Sequence, residues 1–264
     1  MSHIKDRAGQ PIKDFDLQAA SGAFGIDVTH KYARATSVSS GVDTDIWDRA
    51  NGTDLQPIWV PPTEARIHNV ASTDVNDTSA GTGARTIIVD GIVAWNSDRV
   101  QETVIMNGTS NVATVNSFLL IDRMYVATSG SSGPNVGDIS ATAVTDATVS
   151  AQINATKGQT QMAIFGVPST KDGYLLNFYA SINRAVSTVA GNLSLLTNST
   201  PDTNMNNFLV KHTIGLNSTG TSANQHNYIP YQKFTGPLIF RLQINVSANG
   251  ADISGGGSAI AVDK

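Results

Sequence analysis

Leu238, Phe240, Leu242, Ile244 and Val246 alternate with Pro237, Ile239, Arg241, Gln243 and Asn245. A period of two puts every second side chain on one face of an extended strand, which no helix can do. One face is apolar and the other, apart from Ile239, is wet. Phe240 is therefore expected in a core, and Arg241 on a face that tolerates truncation.

The same pattern recurs along the chain. Val149, Ala151 and Ile153 alternate with Ser150, Gln152 and Asn154. Further strands are expected over residues 65–71, 85–92, 100–106, 118–127, 161–167, 174–182, 193–196, 208–214 and 259–262. Turn signals separate them: Ala80–Gly83, Asn96–Asp98, the hairpin dipeptide Asn107-Gly108, the 129–137 loop, Asp172-Gly173 and Gly255–Gly257. Glutamate occurs only at Glu64 and Glu102, while β-branched residues abound. One short helix has room at 182–189, and nothing requires it. Many short strands at regular spacing predict an all-β chain with a β-sandwich or jelly-roll-like body. It is either one large sandwich or two stacked ones, with sub-blocks at 61–146 and 147–264.

Residues 1–60 lack a sustained period. Trp59-Val60-Pro61-Pro62 marks their end, because paired prolines cannot sit inside a central strand. The segment cannot form a core alone, yet it carries Phe15, Phe24, Ile46, Trp47 and Trp59. One reading is a loose tail. The favoured one is an extended assembly arm that orders on a neighbouring subunit through those five anchors.

The residues do not converge on catalytic chemistry. His3, His30, His68, His212 and His226 lie far apart in sequence. Asp43, Asp45 and Asp48 could suggest calcium, but the loop lacks the glycine and glutamate of an EF-hand. There the aspartates are expected to cap turns while Ile46 and Trp47 pack. Ala80–Arg85 is glycine-rich but lacks Gly-Lys-Ser/Thr and precedes a strand, so it does not read as a phosphate loop. With no cysteine, thiolate chemistry is excluded. No catalytic residue, metal or cofactor is expected.

Charged residues are 14% of the 264, with a net charge of −4 and no basic run. Nucleic-acid binding through phosphates needs clustered Lys and Arg, so no nucleic-acid partner is expected. No stretch approaches 18 apolar residues, and no membrane partner is expected. A surface of Ser, Thr, Asn and Gln suits extracellular and virion β-proteins.

Several strings resemble uncharacterised structural proteins of tailed phages and prophages. They are Asp77–Gly91, Gln101–Thr109, Asn116–Leu119 with Tyr125, Ser129–Ile139, Gly158–Pro168 and Val246–Gly256. The resemblance spans residues 60–264, and the N-terminal segment joins it only through Asp45–Asp48. It implies a virion component made in the host cytoplasm and carries over no site residues. The leading expectation is a capsid decoration or cement protein. It would be a homo-oligomer, with a trimer favoured, contacting the major capsid protein or other virion proteins multivalently. A tail, baseplate or fibre-base protein is the alternative. A carbohydrate- or receptor-binding module using Trp95, Tyr125, Tyr228 and Tyr231 is a third.

Overall fold

A computed structural model describes residues 26–50, 56–184, 188–220 and 222–264. Among these residues the chain forms sixteen strands and no helix. They are β1 (Ile26–Val38), β2 (Thr44–Asp45), β3 (His68–Ser72), β4 (Ala84–Ile92), β5 (Val100–Ile105), β6 (Val112–Ala113), β7 (Leu120–Ser129) and β8 (Ile139–Ala143). β9 (Val149–Ile153), β10 (Ile164–Val167), β11 (Lys171–Asn183), β12 (Ala190–Asn198), β13 (Leu209–Asn217), β14 (Ala223–Thr235), β15 (Leu238–Val246) and β16 (Ala251–Asp263) follow.

Four sheets result. One runs β1-β16-β11-β14, and a second β10-β15-β12-β13 with β2 also on β15. With β2–β9 set aside, the remaining eight strands can be lettered B to I in chain order. The two sheets then read B-I-D-G and C-H-E-F, which is the jelly roll. Its core lies between the sheets, where Leu175 and Phe178 of β11 meet Leu195, Phe240 and Leu242. The other two sheets, β6-β3-β8-β9 and β5-β4-β7, form a second sandwich inserted between the first two jelly-roll strands. One continuous core cluster runs through both halves.

The insertion explains the lone apolar residue on the wet face of β15. Ile239 pairs with Gly166 of β10, and partners across a ladder point to the same side. That side meets the insert. A Cβ on Gly166 would lie 2.1 Å from Leu120 Cδ2 and 2.8 Å from Ile92 Cδ1. Both faces of β15 are covered at this point, and Ile239 has no exposed surface.

The expected arm is corrected by this topology. Ile26–Val38 is a jelly-roll strand, with Ile26 opposite Val262 and Ala35 opposite Ile253 on β16. Residues 26–50 therefore belong to the body, and the boundary at Pro61-Pro62 does not divide arm from body. It marks the passage into the insert. The signal failed because the buried face of β1 carries Ala33 and Ala35, alternating with the polar Arg34 and Thr36, which gives no stripe of large apolar residues. The 146/147 division moves too, since β9 pairs with β8 inside the insert.

Three turn readings also change. Gly255–Gly257 lies within β16, between β1 and β11, and a Cβ on Gly256 would come 2.0 Å from the Lys31 carbonyl oxygen. Glycine serves close approach there. Asp172-Gly173 lies inside β11, while Lys171 N–H closes the turn onto the Pro168 carbonyl at 3.1 Å. Asn107-Gly108 does turn the chain, with Gly108 at φ 62°. It leads from β5 to β6 in the other sheet of the insert and does not close a two-strand hairpin.

Gly166→Val should cost about 1–3 kcal/mol by overpacking against Leu120 and Ile92. Urea denaturation checks this. A neutral result would mean the insert does not press on β10.

Candidate functional site

Of the expected anchors, Ile46 and Trp47 have no exposed surface and Trp59 has 1%. All three belong to the core cluster of their own chain. They pin the seam between jelly roll and insert. Phe15 and Phe24 lie outside the described residues.

The seam is organised by buried carboxylates. Asp122 on β7 is fully buried. It receives both terminal nitrogens of Arg99, and the Gly166 N–H donates to it at 2.9 Å. Lys31 of β1 approaches it at 3.8 Å and also donates to the Asp122 carbonyl. Arg99 in turn pairs with Asp90 at 2.8 Å. Burial pushes the Asp122 carboxyl up, but Arg99 and Lys31 outweigh it and hold the group below the usual carboxylate range. Burial brings Lys31 down to about 8. This cluster joins β1 and β10 of the jelly roll to β4 and β7 of the insert. Beside it lies a polar cleft of about 350 Å³, bordered by Asp27, Asp90, Arg99, Arg123 and Lys171.

Asp45 and Asp48 form a second group. Asp45 accepts hydrogen bonds from Trp59 N–H at 2.7 Å, Arg241 Nη1 at 3.2 Å and Gln243 Nε2 at 3.3 Å. Burial raises its carboxyl to about 6 against the pull of Arg241. Asp48 accepts from the Gln161 and Asn154 N–H groups, and burial raises it as well. Asp43 is exposed and bonds Asn245 at 2.8 Å. The three aspartates thus diverge, two inward to N–H donors and one outward, so the turn-capping expectation holds only loosely. These carboxylates fix loops between sheets. Their donors are backbone amides, an arginine and a glutamine, which leaves no arrangement of nucleophile and base.

Arg241 also departs from expectation. It stacks on Phe208, with its guanidinium carbon 3.9 Å from the ring centroid, and pairs with buried Asp45. An alternating pattern shows which way a residue points, but not what waits there.

His68 is fully buried, between the Ser150 hydroxyl at 2.8 Å and the Arg66 carbonyl at 3.0 Å. Burial lowers it to about 4. It is a core residue. His212 and His226, far apart in sequence, stack with centroids 3.9 Å apart. Among the described residues no group of three or more His, Cys, Asp or Glu side chains could hold a metal ion.

The suggested stacking platforms do not assemble. Trp95 is 8% exposed, Tyr125 carries Arg123 over its ring at 4.8 Å, and Tyr228 packs against His226. Only Tyr231 stands open. Four of the large exposed apolar residues lie on β13 and β14. Leu209, Val210, Ile229 and Tyr231 are 53%, 59%, 90% and 42% exposed. Neither strand carries a carboxylate.

No protein-family model matches the chain, and no curated protein matches it. Two solved structures are similar to it at a distance. One is the infectious bursal disease virus Gt strain and the other the VP2 subviral particle of infectious bursal disease virus. Identities are 8% and 10%, each with a TM-score of 0.26, covering 90% of this chain and 72% of the other.

Arg241→Ala should destabilise by about 3–5 kcal/mol at pH 7.5, because it strands the buried Asp45 charge. The sign with pH follows from Asp45. Its folded value is raised, so ionisation opposes folding as pH climbs through about 6. The cost of Arg241→Ala should therefore shrink by pH 5, when the carboxyl is neutral. A cost unchanged with pH would refute the pairing. Asp122→Asn should cost a similar 3–5 kcal/mol, since it leaves Arg99 and Lys31 buried without their anion. Chemical denaturation of each variant measures these changes.

Proposed function

We propose that the protein is a non-catalytic structural component of a virus particle: a decoration or cement protein on the capsid of a tailed phage. The observation that carries this reading is the β13–β14 edge. Four large apolar side chains stand in water there on two strands that themselves carry no carboxylate. Exposed apolar groupings of this kind mark protein contact surfaces.

Three further features support it. The jelly roll is a fold of capsid and lectin domains. The buried polar groups are spent on holding sheets together. The resemblance to tailed-phage structural proteins spans residues 60–264. In this reading copies of the chain associate, with a trimer expected, and each contacts the major capsid protein. Several modest contacts then act together on the shell.

Separating heads from tails and probing each fraction with an antibody tests the location. Recovery with heads supports the decoration role, while recovery with tails transfers the same β-architecture to a tail or baseplate part. Val210→Asp with Ile229→Asp should change stability by no more than about 0.5 kcal/mol, as for ordinary surface positions. The same pair should lower occupancy on particles. Full occupancy would remove the β13–β14 edge from the interface.

A further inference from the structure

The open edge of the jelly roll, between β13 of one sheet and β14 of the other, is closed by a small aromatic cluster. His212 on β13 lies opposite Leu195 of β12. His226 on β14 lies opposite Phe178 of β11. The two imidazoles thus come from different sheets, and they stack at 3.9 Å with planes 28° apart. Phe178, 1% exposed, lies beneath both, at 5.5 Å from His212 and 5.7 Å from His226. Tyr228 closes the far side of His226 at 4.7 Å.

Each strand is laddered to its own sheet, β13 to β12 and β14 to β11, and farther along β14 Phe234 meets Phe240 with ring centroids 5.0 Å apart. No residue of β14 is buried, and only Ile214 and Leu216 of β13 are. We propose that the His212–His226 stack is an acid-sensitive latch that keeps the β13–β14 edge closed when both rings are neutral and opens it when they are protonated. Two imidazolium rings at stacking distance repel, and among the described residues no carboxylate acts on His212. β11 and β12 bring only Phe178 and Leu195 to the cluster. β14 brings the Tyr228 phenol, neutral throughout the range because burial raises it. Lys211 sits at the register shift between β12 and β13, and its charge has the same sign as the imidazoliums.

The direction with pH agrees. Burial, and then the neighbouring His226, hold His212 below the ordinary imidazole value. A lowered folded value means that the closure is fully present above about pH 6.5 and is lost as pH falls through the lower value. The latch is independent of the assembly role proposed above, although opening it would loosen the same edge that carries Leu209, Val210, Ile229 and Tyr231.

Hydrogen exchange of the full chain, corrected for intrinsic rates, tests it between pH 7.5 and 5. Amides of β13 and of residues 223–228 should exchange about tenfold faster at the acid end, while those of β4 and β7 stay protected. His212→Phe with His226→Phe should abolish the change, and His212→Lys with His226→Lys, which places two permanent cations there, should open the edge already at pH 7.5. Equal pH dependence in the wild type and the double variant would overturn the proposal. Should the double variant not fold, NMR titration of His226→Gln decides. The His212 midpoint must rise once its partner is gone, and an unmoved midpoint rules out the coupling.

Discussion

Asp122 is a fully buried carboxylate at the point where two sandwiches meet, and the relation between them depends on its charge. Arg99 reaches it from within the insert, Lys31 from the first jelly-roll strand, and the Gly166 amide from the second. Such a charge gives little net stability, because desolvating the ions costs about as much as their attraction returns. It does make the docking specific. If the insert shifted by one residue, a carboxylate, a guanidinium and an ammonium would be left without partners in a dry seam. The close fit of Gly166 against Leu120 and Ile92 acts in the same direction through shape.

Asp45 does comparable work inside one sheet. β2 and β10 lie end to end along the same edge of β15, and together they make one composite strand interrupted by the whole insert. The Ala163 N–H to Ile46 carbonyl bond of 2.8 Å joins the two pieces. Asp45 ties the joint to Arg241 and Trp59. Its raised carboxyl favours folding in acid, whereas the lowered imidazole of His68 favours folding above pH 6.5. The two titrations oppose each other, so overall stability between pH 4 and 7 understates how strongly each site responds.

Strand content was legible wherever one face is apolar and the other polar. Val149–Ile153 and Leu238–Val246 match the observed bounds. Legibility fell where that contrast fails. β1 buries small residues, and β14 buries none, so neither gave a hydrophobic stripe. Gly255–Gly257 has the composition of a turn because glycine serves close backbone approach as readily as tight bends. Ile46, Trp47 and Trp59 read as anchors for a neighbouring subunit, and they lie in the core of their own chain. Local sequence could not reveal that their own chain returns later to supply the covering surface, as at Ser150 for Trp59. The His212–His226 pair was invisible for the same reason: proximity across two sheets leaves no trace in spacing.

The pairing of the first described strand with the last has a consequence for how the chain is made. His30 bonds Ser258 across 228 residues, so β1 leaves the ribosome long before its partner exists. The insert, whose strand pairings are all internal, is already synthesised when β16 emerges. The jelly roll must wait for β15 and β16, and its high contact order makes that closure slow. Throughout this interval β1 and β2 are unpaired edges, the form of chain most prone to aggregate. The polar, small-residue make-up of β1, which hid it from the hydrophobic pattern, also protects the chain while it waits.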